Sequence, residues 1–189
     1  SALFFDEDLL DVGSRVKLNN LSAMAQGKKL VKMAEDEKDA DLRSHFQVLA
    51  SQYFSAALMS NPSNPVTLRL QARLMLDQEM LGESTLAVGA FWGSALRYID
   101  FLYKLALDSD PNDSLALLDY ARFIALSGTD KIQRAFFLLR SVCASHTNTR
   151  AIEELRAALI DLKMTKELCL LELWLTKTPT LPPGMVPSA

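Results

Sequence analysis

Apolar residues recur along this chain in steps of three and four. Leu42, Phe46, Leu49, Ala50, Tyr53, Phe54, Ala57 and Leu58 follow that spacing, as do Leu115, Leu118, Ala121, Ala125 and Leu126 around the polar Arg122. The spacing draws one apolar stripe along an α-helix, which turns once every 3.6 residues. Val and Ile are sparse, and no Val/Ile/Thr-rich run alternates as a strand would. Two segments punctuate the pattern, Asn61-Pro62-Ser63-Asn64-Pro65 and Asp110-Pro111-Asn112-Asp113. Proline cannot continue a helix, and Asn, Asp or Ser can cap the next one. The pattern therefore predicts an all-α chain of helix pairs. They are Val12–Met33 with Asp39–Ser60, Val66–Gln78 with Gly93–Ser109, Ser114–Leu126 with Asp130–Ser145, and Thr149–Leu162 with Thr165–Lys177.

The pairs resemble one another. At a shift of 49, Ala57, Leu58, Ser60 and Pro62 fall on Ala106, Leu107, Ser109 and Pro111, and Leu68, Ala72 and Arg73 on Leu117, Ala121 and Arg122. A further shift of 36 lays Ser109, Asn112 and Ala121 on Ser145, Asn148 and Ala157. Two helices approach closely only where the facing residue is small, so a recurrent alanine marks packing rather than chemistry. The difference between the shifts assigns the second pair an insertion of about thirteen residues, at Glu79 to Trp92. Insertions of this kind gather on one face of a repeat array, often the binding face.

Ala50, Phe54, Ala57 and Pro62, and again Ile99, Tyr103, Ala106 and Pro111, give a small–aromatic–alanine–proline series. That series resembles the tetratricopeptide repeat. Ala135, Leu139, Val142 and Thr147 form a degenerate third copy, and Cys169, Leu173 and Thr176 a fourth. Leu118-Asp119-Tyr120-Ala121-Arg122-Phe123 also looks like the half-a-TPR repeats of RNA-processing scaffolds. The family's opening Trp and Gly are absent. The resemblance implies a right-handed α-solenoid of about four antiparallel helix pairs spanning residues 12–177. An N-terminal arm (1–11) and a Pro-rich tail or linker (178–189) would flank it. Repeats of this kind must stack to bury their apolar faces.

Composition narrows the function. Lys plus Arg number 20 against 23 Asp plus Glu, a net charge of −3, so no basic field favours nucleic acid. No apolar run reaches the roughly 18–20 residues that a membrane span needs. Cys143 and Cys169 lie within apolar helical patterns and have no CxxC partner, so free, buried thiols in a reducing cytoplasmic setting are expected. Cys143 and His146 share metal-ligand spacing, but no second pair completes a tetrahedral set; no metal or cofactor is expected. Phosphate-binding and nucleophile motifs are missing, and the chain reads as no enzyme. Glu35 to Asp41 reads as capping charge for the second helix, and Lys28, Lys29 and Lys32 as an exposed helix face.

Two candidate contact surfaces emerge. Arg69 and Arg73 lie four apart in the third helix, and Arg122 occupies the repeat position of Arg73. First helices line the inner groove of tetratricopeptide arrays, so the resemblance points all three guanidiniums at an acidic or C-terminal peptide. Phe91 and Trp92, flanked by Gly89 and Gly93, offer aromatic anchors at the insertion. The expected function is a non-catalytic module that binds a protein or peptide in a concave groove. A structural homo-oligomerisation domain and an RNA-processing scaffold of the half-a-TPR type are the alternatives.

Overall fold

The computed structural model describes residues 12–81, 88–128 and 130–177, with side chains described over 22–78, 95–128 and 130–177. Eight helices follow in order: α1 (Val12–Asp36), α2 (Ala40–Ser60), α3 (Pro65–Leu81), α4 (Val88–Ser109), α5 (Ser114–Leu126), α6 (Lys131–Ala144), α7 (Thr149–Asp161) and α8 (Thr165–Lys177). The described residues contain no strand. The arm at 1–11 and the tail at 178–189 lie outside the described residues.

Side-chain caps set the helix starts. Asp39 Oδ1 accepts from the amides of Asp41 and Leu42 at 2.9 and 3.1 Å, the role expected of the acidic run. Asn64 does the same for Val66 and Thr67, Asp113 for Leu115 and Ala116, and Asp130 for Ile132 and Gln133. Each cap satisfies amides that the first helical turn leaves orphaned, at about 1 kcal/mol apiece.

Two compact units divide the chain, Ser1–Pro111 and Asn112–Ala189. In the first, α1 packs on α2, α2 on α3 and α3 on α4. Ala50, Phe54 and Leu74 are buried together, with Leu30, Val31 and Leu70 packed against them. Gly27 makes this possible: a Cβ there would fall inside contact distance of Phe54 Cε1 and 2.7 Å from Cδ1. In the second unit α5 packs on α6, α6 on α7 and α7 on α8. Its core joins Leu118, Ala121, Leu138, Val142, Ala151, Leu155, Ala158 and Leu171.

Residues 49 positions apart are alike in burial. Ala50 and Ile99, Phe54 and Tyr103, and Ala57 and Ala106 are all buried to within 1%. The second shift needs correcting by one residue. Thr149 stands 35 positions after Ser114, and Ala144 stands 35 after Ser109. The counterpart of Ala121 is thus Arg156, and Ala157 is exposed. Leu138 and Ser141, both fully buried, take the places of Tyr103 and Ala106, while Leu139 is 47% exposed. Four apolar residues in a row, Phe136 to Leu139, let a one-residue slip satisfy the pattern equally well. The fourth copy slips too: Leu171 is buried, whereas Cys169 and Leu173 are exposed.

Much of the extra length in the second pair lengthens helices. α3 has 17 residues against 13 in α5, and α4 has 22 against 14 in α6.

Candidate partner-binding surface

α6 carries two apolar stripes where one would suffice. Ala135, Leu138 and Val142 turn inward. Ile132, Phe136, Leu139 and Cys143, spaced four, three and four, form a second stripe that remains accessible. The neighbouring Phe137 points the other way, meeting Tyr120 edge-on at 4.7 Å. α8 repeats the arrangement. Leu168, Leu171 and Leu175 pack on the core, and Glu167, Leu170, Leu171 and Trp174 give an i, i+3, i+4, i+7 face beside them. A helix apolar on two faces is normally covered on both.

The two second stripes line one trough. Its volume is about 490 Å³, with Leu155, Leu159 and Met164 contributed by α7 and the turn that follows it. Ile132, Phe136, Leu170 and Trp174 stand 67%, 54%, 65% and 38% exposed. Glu167 is the one ionisable carboxylate in the lining. The Arg140 guanidinium lies 5.8 Å from the centroids of both Phe136 and Phe137, a cation–π position. No sequence motif announces this trough. The signal available was the doubled apolar stripe on α6 and α8.

The first unit has a concavity of similar size, about 430 Å³, but of mixed character. Glu35, Arg43, Gln47 and Asp77 line it together with Val31, Ala34 and Leu74. The Arg43 guanidinium donates from Nε and Nη2 to the Glu37 carbonyl at 3.1 and 2.8 Å, which fastens the turn between α1 and α2.

The arginines fall in different units. Arg69 and Arg73 lie on α3, and Arg122 on α5. Arg73, 43% exposed, stands 3.9 Å from Glu35 of α1. Arg122 is held within its own unit. Its Nε and Nη2 donate to Glu154 Oε1 of α7 at 2.8 and 2.6 Å, and its Nη1 stands 3.9 Å from the buried Asp119. Arg134 and Arg150 each stand 3.8 Å from the same Glu154. A guanidinium so engaged must break charge-assisted bonds before it can grip a ligand. Phe91 and Trp92 belong to α4, and their side chains lie outside the described residues.

The second unit carries several polar ties between its helices. Lys131 Nζ donates to Asp161 Oδ2 at 2.8 Å, and that hydrogen bond holds the Asp161 carboxyl below its ordinary range. Arg156 donates from Nε and Nη2 to the two oxygens of Glu172 at 2.5 and 2.9 Å, which lowers the Glu172 carboxyl and raises the guanidinium. Ser114 Oγ donates to the Ser141 carbonyl at 2.9 Å, and Ser141 Oγ returns a bond to the Ser114 carbonyl at 2.6 Å.

Both thiols are free and exposed, against the expectation that they are buried; Cys143 opens into the trough. Each lies on the accessible side of its helix, where Val142 and Leu171 take the buried positions. Among the described residues no group of His, Cys, Asp and Glu is placed to hold a metal, and no helix is long and apolar enough to cross a membrane. Comparison with known protein families and with curated proteins gives no match.

Proposed function

We propose that this chain is a helical-repeat module of tetratricopeptide type that binds another protein and performs no chemistry of its own. The trough between α6 and α8 carries the reading. Apolar side chains gathered in one concavity lose hydration cost when a partner covers them, and rigid helices lose little entropy in receiving it. Antiparallel pairing is supported by the bonds from Ser114 in the first turn of α5 to Ser141 near the end of α6. Stacking of successive pairs is supported by the ion pairs between first helices, Arg73 to Glu35 and Arg122 to Glu154. Free thiols suit a reducing, cytoplasmic setting.

On this reading the contact surface lies on second helices rather than on the arginines of the first. Affinity capture from a cell extract, with circular dichroism as a folding control, tests the choice. Three proteins are compared: the native chain, Phe136→Glu/Leu170→Glu, and Arg69→Glu/Arg73→Glu, which leaves Arg122 in its ion pair. A partner kept by the arginine variant and lost from the trough variant is the expected result. Loss from the arginine variant alone would return the site to α3 and overturn the trough.

A further inference from the structure

The trough is uniform except for one group. Glu167 sits in the first turn of α8, exposed, among a lining otherwise made of hydrocarbon, rings and sulfur. Among the described residues it has no ion-pair partner, unlike Glu154, Asp161 and Glu172, each of which holds an arginine or lysine. An occupant that desolvates this carboxylate without compensating it loses several kcal/mol of hydration, so a matching cation is selected.

The segments on either side of the helices, 1–11 and 178–189, do not supply that cation. Residues 178–189 contain no Lys, Arg or His, and residues 1–11 carry Asp6, Glu7, Asp8 and Asp11 with no basic residue. A second copy meets a geometric obstacle, since two concave faces laid against each other enclose a void and forfeit the contacts that dense packing gives. The walls favour a convex, ridged occupant. α6 and α8 are 14 and 13 residues long, about 20 Å each at 1.5 Å per residue, and their linings follow the three–four step. A third helix with apolar residues at i, i+3, i+4 and i+7 presents ridges on the same step. An extended proline-rich ligand wants a wall of aromatic planes, whereas Phe136 and Trp174 are the two rings among mainly aliphatic neighbours.

We infer that the trough receives an amphipathic helix of a partner protein, bearing a Lys or Arg placed to meet Glu167. The inference rests on the trough being the binding surface, and its test separates the two. The probe is a display library of helical peptides of about 14 residues. They carry Leu or Ile at i, i+3, i+4 and i+7 and a free choice of Lys, Arg, Glu or Gln elsewhere. Selection is run on the full chain and on Glu167→Lys. Protection of the Cys143 thiol from alkylation reports occupancy, with Cys169, outside the trough, as internal reference.

The expected result is enrichment of Lys or Arg at one flanking position, Cys143 protected, and the preference turned to Glu by Glu167→Lys. For a single selected peptide that reversal weakens binding by about three- to tenfold, the scale of a partly exposed ion pair. Binders that protect Cys143 and are lost on Phe136→Glu, yet show no charge preference, would overturn the helix-with-cation inference and leave the trough standing. Absence of any Cys143-protecting binder would overturn both. A concentration-dependent dimer that itself protects Cys143 would assign the trough to a second copy instead.

Discussion

The two units close their helices by different means. In the first, α1 and α2 meet at a glycine, with Gly27 lying against the buried Phe54 ring, and the ion pair from α3 to α1 is loose at 3.9 Å. In the second, short charge-assisted bonds join α5 to α7, α6 to α7 and α7 to α8: Arg122 to Glu154, Lys131 to Asp161, and Arg156 to Glu172. The concavities differ too: the first unit's mixes Glu35, Arg43 and Asp77 with Val31, Ala34 and Leu74, whereas the trough is apolar apart from Glu167. The second unit also holds a smaller mixed hollow of about 170 Å³, lined by Lys131, Arg134 and Asp161 with Ala125, Ala158 and Leu162, so the apolar trough is a local feature of α6 and α8.

The comparison breaks most sharply at Gly27. Replacing it with Leu drives a side chain into a ring with no room to retreat and costs about 3 kcal/mol or more; Ala costs about 1–3 kcal/mol. Hydrogen exchange should show amides of α1 and α2 losing protection while those of α5 to α7 keep theirs. Equal loss in both units would mean that the units do not unfold separately.

Next in size is a test of register. Leu138 is fully buried and its neighbour Leu139 is half-exposed. Leu138→Ala should cost about 2–5 kcal/mol through the cavity it leaves, and Leu139→Ala less than about 1 kcal/mol. Urea denaturation of the two variants measures the difference. A larger loss at Leu139 would restore the shift of 36 and undo the assignment of Leu139 to the trough.

This pair also shows what the sequence could tell. Helix positions were readable because Pro62, Pro111 and the capping Asp and Asn residues are local signals with a fixed mechanism. The shift of 49 pairs buried positions because Phe54 and Tyr103 each stand three residues before an alanine, Ala57 and Ala106. α6 and α8 were harder. Phe136-Phe137-Leu138-Leu139 and Leu168 through Leu175 are apolar almost all round, so periodicity cannot say which stripe turns inward. The trough is the consequence of that same excess, and so the ambiguity and the site have one cause. The arginines could not be resolved from spacing, because the partner of Arg122 is 32 residues away on another helix.

Charge gives the third contrast. Arg122→Ala removes the two short bonds to Glu154, leaving that carboxylate the 3.8 Å contacts of Arg134 and Arg150, and should cost about 1–2 kcal/mol. Arg73→Ala removes a long, half-exposed contact and should stay within about 0.5 kcal/mol. Thermal unfolding measures both. A strongly destabilising Arg73→Ala would show that the first unit relies on charge as much as the second.

A smaller gain is available at the end of α7. Lys163 has φ 58°, a left-handed conformation, where the equivalent position after α5 is Gly128 at φ 71°. The Met164 amide donates back to the Leu159 carbonyl at 2.9 Å, so the turn is fixed and the side chain must bear the strain. Lys163→Gly should stabilise by about 0.5–1 kcal/mol, the relief of left-handed strain less the entropy that glycine adds to the unfolded chain. No gain in melting temperature would mean that lysine's charge near the helix C-terminus already compensates.

The weakest contrast is pH. Asp161 and Glu172 have carboxyls lowered by hydrogen bonds from Lys131 and Arg156. A carboxyl with a lower value folded than unfolded binds fewer protons in the native state. Its contribution is therefore complete above the ordinary values, 3.8 for Asp and 4.5 for Glu, and fades as pH falls through the lowered folded value. Both groups belong to the second unit, Asp161 exposed and Glu172 half-buried, so the change is small and salt weakens it. Exchange protection in α7 and α8 should decline on acidification below that range, and Asp161→Asn/Glu172→Gln should lose most of the decline. If acid loosened α7 and α8 just as much in that variant, the two lowered carboxyls would not be the source of the decline.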